Sequence, residues 1–225
     1  MRHAAGNDDE PLAGPGFLEV FMPYELRLAQ RRAMLWASLD TADIPSAFLG
    51  LYLVRLESGD GSWFPSSLEG GAQLGRHVRE LLCAAIRDSD IPARLSDQEH
   101  LVVLRDLDPE HAYVVAQRFL AAAGGSELLR AAKVRTRMGY LVYPLSMQPN
   151  YPPERWQDLV ELARRLSGLN TGLTAAAGRG LLRGEQLAAT GIPETDLVPL
   201  AFQDLETLTR NGILQLQRIN IIPGF

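Results

Sequence analysis

The stretch RDSDIPARLSDQEHLVVLRDLD, Arg87 to Asp108, decides how this chain folds. Within it Leu101 to Leu104 (LVVL) is too short and too β-branched for a helix, and Pro92 to Leu95 is a second short segment just before it. The polar pentad Ser96, Asp97, Gln98, Glu99 and His100 separates the two, so the stretch reads as a β-hairpin with the pentad at its turn. Asp108 followed by Pro109 supplies an N-cap and a first-turn proline; the helix they open is expected to run to about Ala123 and stop at Gly124 and Gly125.

Outward from the hairpin, Leu74, Val78, Leu81, Leu82 and Ile86 recur at spacings of three and four, which predicts an amphipathic helix over 68–88. Ala47 to Glu57 (AFLGLYLVRLE), bounded by Pro45 and by Ser58 to Gly61, reads as a buried first strand. Tyr24 to about Asp40 predicts a helix whose buried face is either core or a homodimer contact. On the C-terminal side, Val134 to Leu145 reads as a strand, Pro152 and Pro153 open a helix through Leu166, and Leu173 to Ala176 is a short strand. From Leu181 two short helices and an apolar tail are expected, and the alternation in Leu214 to Ile222 suits an edge strand or an extended arm.

A hairpin placed between crossover helices implies an α/β (α+β) fold: a central mixed, mostly antiparallel sheet of about five strands flanked by helices, not a doubly wound parallel sheet. The expected organisation is a disordered leader over 1–15, an N-terminal helix over 16–45, a central domain over 46–180 and a helical C-terminal appendage and tail over 181–225.

With 225 residues, 46% of them apolar and 22% charged, the chain has enough material for one substantial core. Its longest apolar stretch, Ala47 to Val54, is far below the roughly 20 residues a bilayer needs, and three acids in the first fifteen residues do not suit a signal peptide. A lone cysteine, Cys83, forms no internal disulfide and reads as a packed thiol beside Leu82 and Ile86; the cytoplasm is the expected compartment. The net charge of -5 argues against binding long nucleic acids.

In order and spacing, Arg-x-x-Asp, a hairpin-turn pentad, a β-branched strand and an acid-capped helix resemble the GGDEF domain of diguanylate cyclases, from about Ser46 to Gly180. The resemblance is to a degenerate member. In the family two pentad glycines admit the GTP phosphates and a carboxylate at the third position binds a divalent metal; here those places hold Ser96, Asp97 and Gln98, while Glu99 matches and His100 ends the pentad. The position of the second metal ligand, at the end of the first strand, is taken by Arg55. No asparagine between Asn7 and Asn150 can read guanine, and Lys133 is in the wrong segment to match the family's phosphate-contacting lysine. The resemblance therefore implies no cyclase activity, no catalytic residue, no metal and no cofactor.

What the resemblance retains is the family's inhibitory site for cyclic di-GMP, carried by Arg87 and Asp90 five residues before the pentad and by Arg118 on the following helix. An arginine fork suits a phosphate or the Hoogsteen edge of guanine, and an aspartate accepts from guanine N–H groups. The tetrapeptide alone carries no weight, since Arg94/Asp97, Arg105/Asp108 and Arg155/Asp158 share it; register against the pentad singles out the first. The plain alternative for Arg87 and Asp90 is a solvated helix end with an i, i+3 ion pair. The expected function is a non-catalytic receptor that binds cyclic di-GMP and signals to a protein partner. Its alternative is a protein-interaction scaffold that kept the fold and binds no ligand.

Overall fold

The structure, a computed structural model, describes residues 13–38, 48–59, 71–108, 111–143, 152–175, 206–210, 212 and 214–219. Strand β1 (Phe48–Ser58) is apolar on both sides because both of its faces are covered. It pairs antiparallel with β3 (Glu99–Leu107) on one side and β4 (Val134–Tyr143) on the other, and β2 (Ile91–Arg94) completes the hairpin with β3. Beyond β4 lie β5 (Thr171–Ala175), parallel to it, and β6 (Leu214–Arg218), antiparallel to β5. The result is one six-stranded mixed sheet, ordered β2-β3-β1-β4-β5-β6.

Alternation along the strands splits the core into two layers. On one face Leu49, Leu51 and Leu53 of β1 pack with α1 (Pro15–Ser38) and α5 (Trp156–Leu169). On the other Tyr52, Val54 and Leu56 pack with α2 (Gly71–Ala85), α3 (Ala112–Gly125) and the short α4 (Glu127–Ala131). Leu18, Met22 and Leu26 of α1 are fully buried, each contributing about 1.5–3 kcal/mol by removal from water. Gly139 of β4 is where α5 lies closest to the sheet: a Cβ there would sit 2.1 Å from the Ser167 nitrogen, so only glycine permits this spacing. Among the described residues no helix is long and apolar enough to cross a membrane.

The expected fold class is observed, with several local differences. Part of the predicted leader is ordered: the Arg94 N–H donates to the Ala13 carbonyl at 2.9 Å, Ala13 bridges Ala93, and α1 begins at Pro15 and packs on the core. The Asp108 carbonyl accepts from the His111 N–H at 2.9 Å, and the α-helix itself begins later than expected. Helix α3 starts at Ala112, with His111 at the cap position and no side-chain capping bond, and α4 follows at once because Ser126 accepts from the Leu129 N–H. The region 181–225 is not wholly an appendage, since β6 is the sixth strand of the sheet, while residues 206–210 are helical as expected for this region. Cys83 is exposed, not packed, because it lies on the solvent side of α2. Trp63, Phe64 and most of the segment between Leu181 and β6 lie outside the described residues.

Candidate ligand pocket and the pentad turn

The β2–β3 hairpin carries both predicted sites, one at each end. Its turn brings Ser96, Asp97 and Gln98 to the tip, while Glu99 and His100 already belong to β3. Ser96 Oγ accepts from the N–H groups of Gln98 at 3.2 Å and Glu99 at 3.1 Å, and the Leu56 N–H donates to the Gln98 carbonyl at 2.9 Å, which fixes the turn against β1. Arg94 and Asp97 form an ion pair across the turn. The buried Glu99 carboxylate accepts from Arg164 of α5, Nε to Oε1 at 2.9 Å and Nη2 to Oε2 at 2.9 Å, and Arg55 Nε stands 3.8 Å from Oε1. Bonding to Glu99 raises the Arg164 pKa, which keeps that guanidinium charged. His100 is 1% exposed, and burial, helped by the Arg94 charge, lowers its pKa to about 4, so the ring is neutral.

The opposite end holds a cavity of about 510 Å³ between the end of α2, the C-terminal half of β3 and α3. Arg87, Asp90 and Arg118 all line it, so the three residues selected from the sequence converge. Asp90 is 7% exposed and accepts two backbone bonds, from Arg87 N–H to Oδ2 at 2.9 Å and from Arg105 N–H to Oδ1 at 3.2 Å. It therefore locks the turn after α2 onto β3, and it is not half of a solvated i, i+3 ion pair with Arg87. Nearby, Tyr52 donates to the Ala112 carbonyl at 2.7 Å and pins the first turn of α3. Burial, then Tyr140 and Asp90, push the Tyr52 hydroxyl well above its ordinary pKa and keep it a donor.

Most charges around the cavity are already answered. Arg105 pairs with Glu25, Asp106 with Arg32, and Asp108 Oδ2 lies 3.3 Å from His111 Nδ1. No ion pair or side-chain hydrogen bond among the described residues engages the guanidinium of Arg87 or of Arg118. Two exposed cations thus face one cavity beside a buried carboxylate.

Sequence reasoning missed Arg105. It read as part of a tetrapeptide out of register with the pentad, whereas it lines the same cavity and bonds to Asp90 through its backbone. Its place on β3, directly after LVVL and opposite the turn holding Asp90, was the available signal. Arg155 is remote and pairs with Asp158 at 2.5 Å.

The architecture aligns with the crystal structure of the GGDEF domain of YfiN (TpbB) from Pseudomonas aeruginosa at a TM-score of 0.50, covering 76% of this chain and 97% of that one. The chain has a GGDEF-like fold. Identity over that alignment is 18%. The GGDEF domain of DgcB from Caulobacter crescentus, solved in complex with c-di-GMP, matches at 14% identity and a TM-score of 0.48 over 73% of this chain and 89% of that one. The FimX GGDEF domain from Pseudomonas aeruginosa matches at 17% identity and a TM-score of 0.45, over 65% and 85%. No protein-family model matches the chain, and no curated protein does.

Proposed function

We propose that this GGDEF-like chain is a non-catalytic receptor for cyclic di-GMP, which binds in the cavity lined by Arg87, Asp90 and Arg118 and is reported to a protein partner. The observation that carries this reading is the pair of unengaged guanidiniums facing one cavity with a buried aspartate. A dinucleotide supplies what the site lacks, phosphate oxygens or guanine acceptors for the two arginine forks. Each Asp90 oxygen accepts one backbone bond and keeps a second lone pair, which suits the ring and amino N–H groups of guanine. The cavity volume is in the range of small-molecule sites, about 300–1,000 Å³.

The donor set at the pentad supports the absence of catalysis. A divalent cation seeks carboxylate oxygens, but Gln98 is neutral, Glu99 is held by Arg164, and the Arg55 guanidinium 3.8 Å from Glu99 repels a metal ion. These residues do not fit a two-metal phosphoryl-transfer site. The scaffold reading draws on a different feature, the exposed Val20, Tyr24, Met34 and Leu35 on α1, which a partner could cover with or without ligand.

Calorimetric titration of cyclic di-GMP into the full chain separates the readings. The receptor predicts saturable heat and a raised melting temperature at roughly 100 μM ligand, where even micromolar affinity saturates. No heat and no shift leave the scaffold standing, and dinucleotide product from GTP with Mg²⁺ or Mn²⁺ overturns the non-catalytic assignment.

A further inference from the structure

Two cavity residues are also the moorings of α1. Arg105, whose backbone N–H bonds to Asp90, forms an ion pair with Glu25 and lies 5.3 Å from the centroid of the Phe21 ring. Its neighbour Asp106, held at φ 49°, forms an ion pair with Arg32. Glu25 is 2% exposed, and among the described residues Arg105 is its ion-pair partner. A carboxylate this deeply buried depends on its cation, because an unpaired buried charge is strongly unfavourable. Pro23 interrupts the backbone bonding of α1 two residues before Glu25, so Glu25 and Arg32 both lie on the C-terminal side of a built-in weak point.

We propose, on the reading of the cavity as a dinucleotide site, that the part of α1 after Pro23 is a lever set by occupancy of that cavity. The phosphates of a bound cyclic dinucleotide and the Glu25 carboxylate compete for Arg105, and a bound ligand loosens Tyr24–Ser38. The guanidinium has five donors and can touch both anions, but each anion weakens the other's hold through their mutual repulsion. The Arg32–Asp106 pair opposes this effect, since it neutralises a carboxylate at the cavity while α1 is docked. Both of its side chains are about half exposed, so solvent screens it, and the Glu25–Arg105 pair, whose carboxylate is buried, sets the sign. By linkage, whatever holds α1 in place weakens ligand binding by the same factor.

Hydrogen exchange on the full chain, with and without saturating cyclic di-GMP, tests the lever alongside calorimetry. The ligand is expected to speed exchange across 24–38 while 17–22 and α5 stay unchanged, and Glu25→Gln is expected to bind on the order of fivefold tighter or more. Binding heat with exchange in 24–38 unchanged or slowed overturns the lever and leaves the cavity reading intact. A folded Glu25→Gln that binds no tighter than the wild type does the same. Absence of binding by both proteins overturns the cavity reading and the lever together. The exchange measurement uses the unmutated chain, so a Glu25→Gln variant that fails to fold does not shelter the proposal.

Discussion

The two ends of one hairpin place their charges in opposite ways. At the pentad end four arginines each have a carboxylate at hand: Arg94 has Asp97, Arg55 has Glu99, Arg164 has Glu99 and Glu161, and Arg137 has Glu57 at 2.6 Å. At the other end Arg87 and Arg118 face a cavity with no such partner among the described residues. Both ends carry an Arg-x-x-Asp, at Arg94/Asp97 and at Arg87/Asp90, yet one closes into an ion pair and the other separates into a buried backbone lock and an exposed cation. The same tetrapeptide thus leaves different charges unanswered at the two ends, and the motif alone does not reveal which.

The largest expected effect tests that contrast directly. Arg87→Ala removes a charge-assisted fork and is expected to weaken cyclic di-GMP binding by about 2–4 kcal/mol, thirty- to a thousandfold, read by calorimetry. If Arg94→Ala costs as much, the two ends are not different and the comparison fails.

The pentad end should respond to protons through His100. The His100 pKa is lowered to about 4 in the folded chain from an ordinary 6.5, so it is the unfolded chain that takes up the proton as pH falls. Above pH 6.5 both states are neutral at this ring and it has no effect. From pH 6.5 down to about 4 the fold loses stability, on the order of 3 kcal/mol in total. Urea unfolding at pH 7 and pH 4 measures this loss, and His100→Leu is expected to flatten that part of the curve.

Asp90→Ala sharpens the comparison by striking fold and site together. Loss of the buried carboxylate that accepts from two backbone N–H groups is expected to lower stability by about 2 kcal/mol and to weaken ligand binding by about 1–3 kcal/mol. Thermal unfolding and calorimetry on the same sample separate the two. A variant that loses affinity at full stability would show that the backbone lock is not what Asp90 provides. Arg155→Ala, remote and already paired, is the smallest case, with less than about a threefold change in affinity, under roughly 0.7 kcal/mol.

Much of this was legible in the sequence. The hairpin, the long apolar β1, the proline-opened α5 and the alternation that became β6 follow from local pattern, and register placed Arg87, Asp90 and Arg118 on one cavity. What local pattern does not carry is long-range pairing. Glu25 reads as one more polar residue of a helix, and nothing nearby in the chain shows that it is buried against Arg105, 80 residues away. The same holds for Arg164, whose bond to Glu99 spans 65 residues and turns the single matching pentad position into a structural anchor. The start of α3 was placed too early: Asp108 has the chemistry of a cap, yet its carbonyl accepts the His111 N–H and the α-helix itself begins at Ala112.

The solvent-facing thiol of Cys83 makes the molecule an instrument as it stands. It is the one cysteine of the chain, it is exposed, and it lies two residues before Ala85 in the cavity wall. A maleimide dye would attach at this single point without any engineered residue. Its emission would then report filling of the cavity continuously, in a sample too dilute for calorimetry.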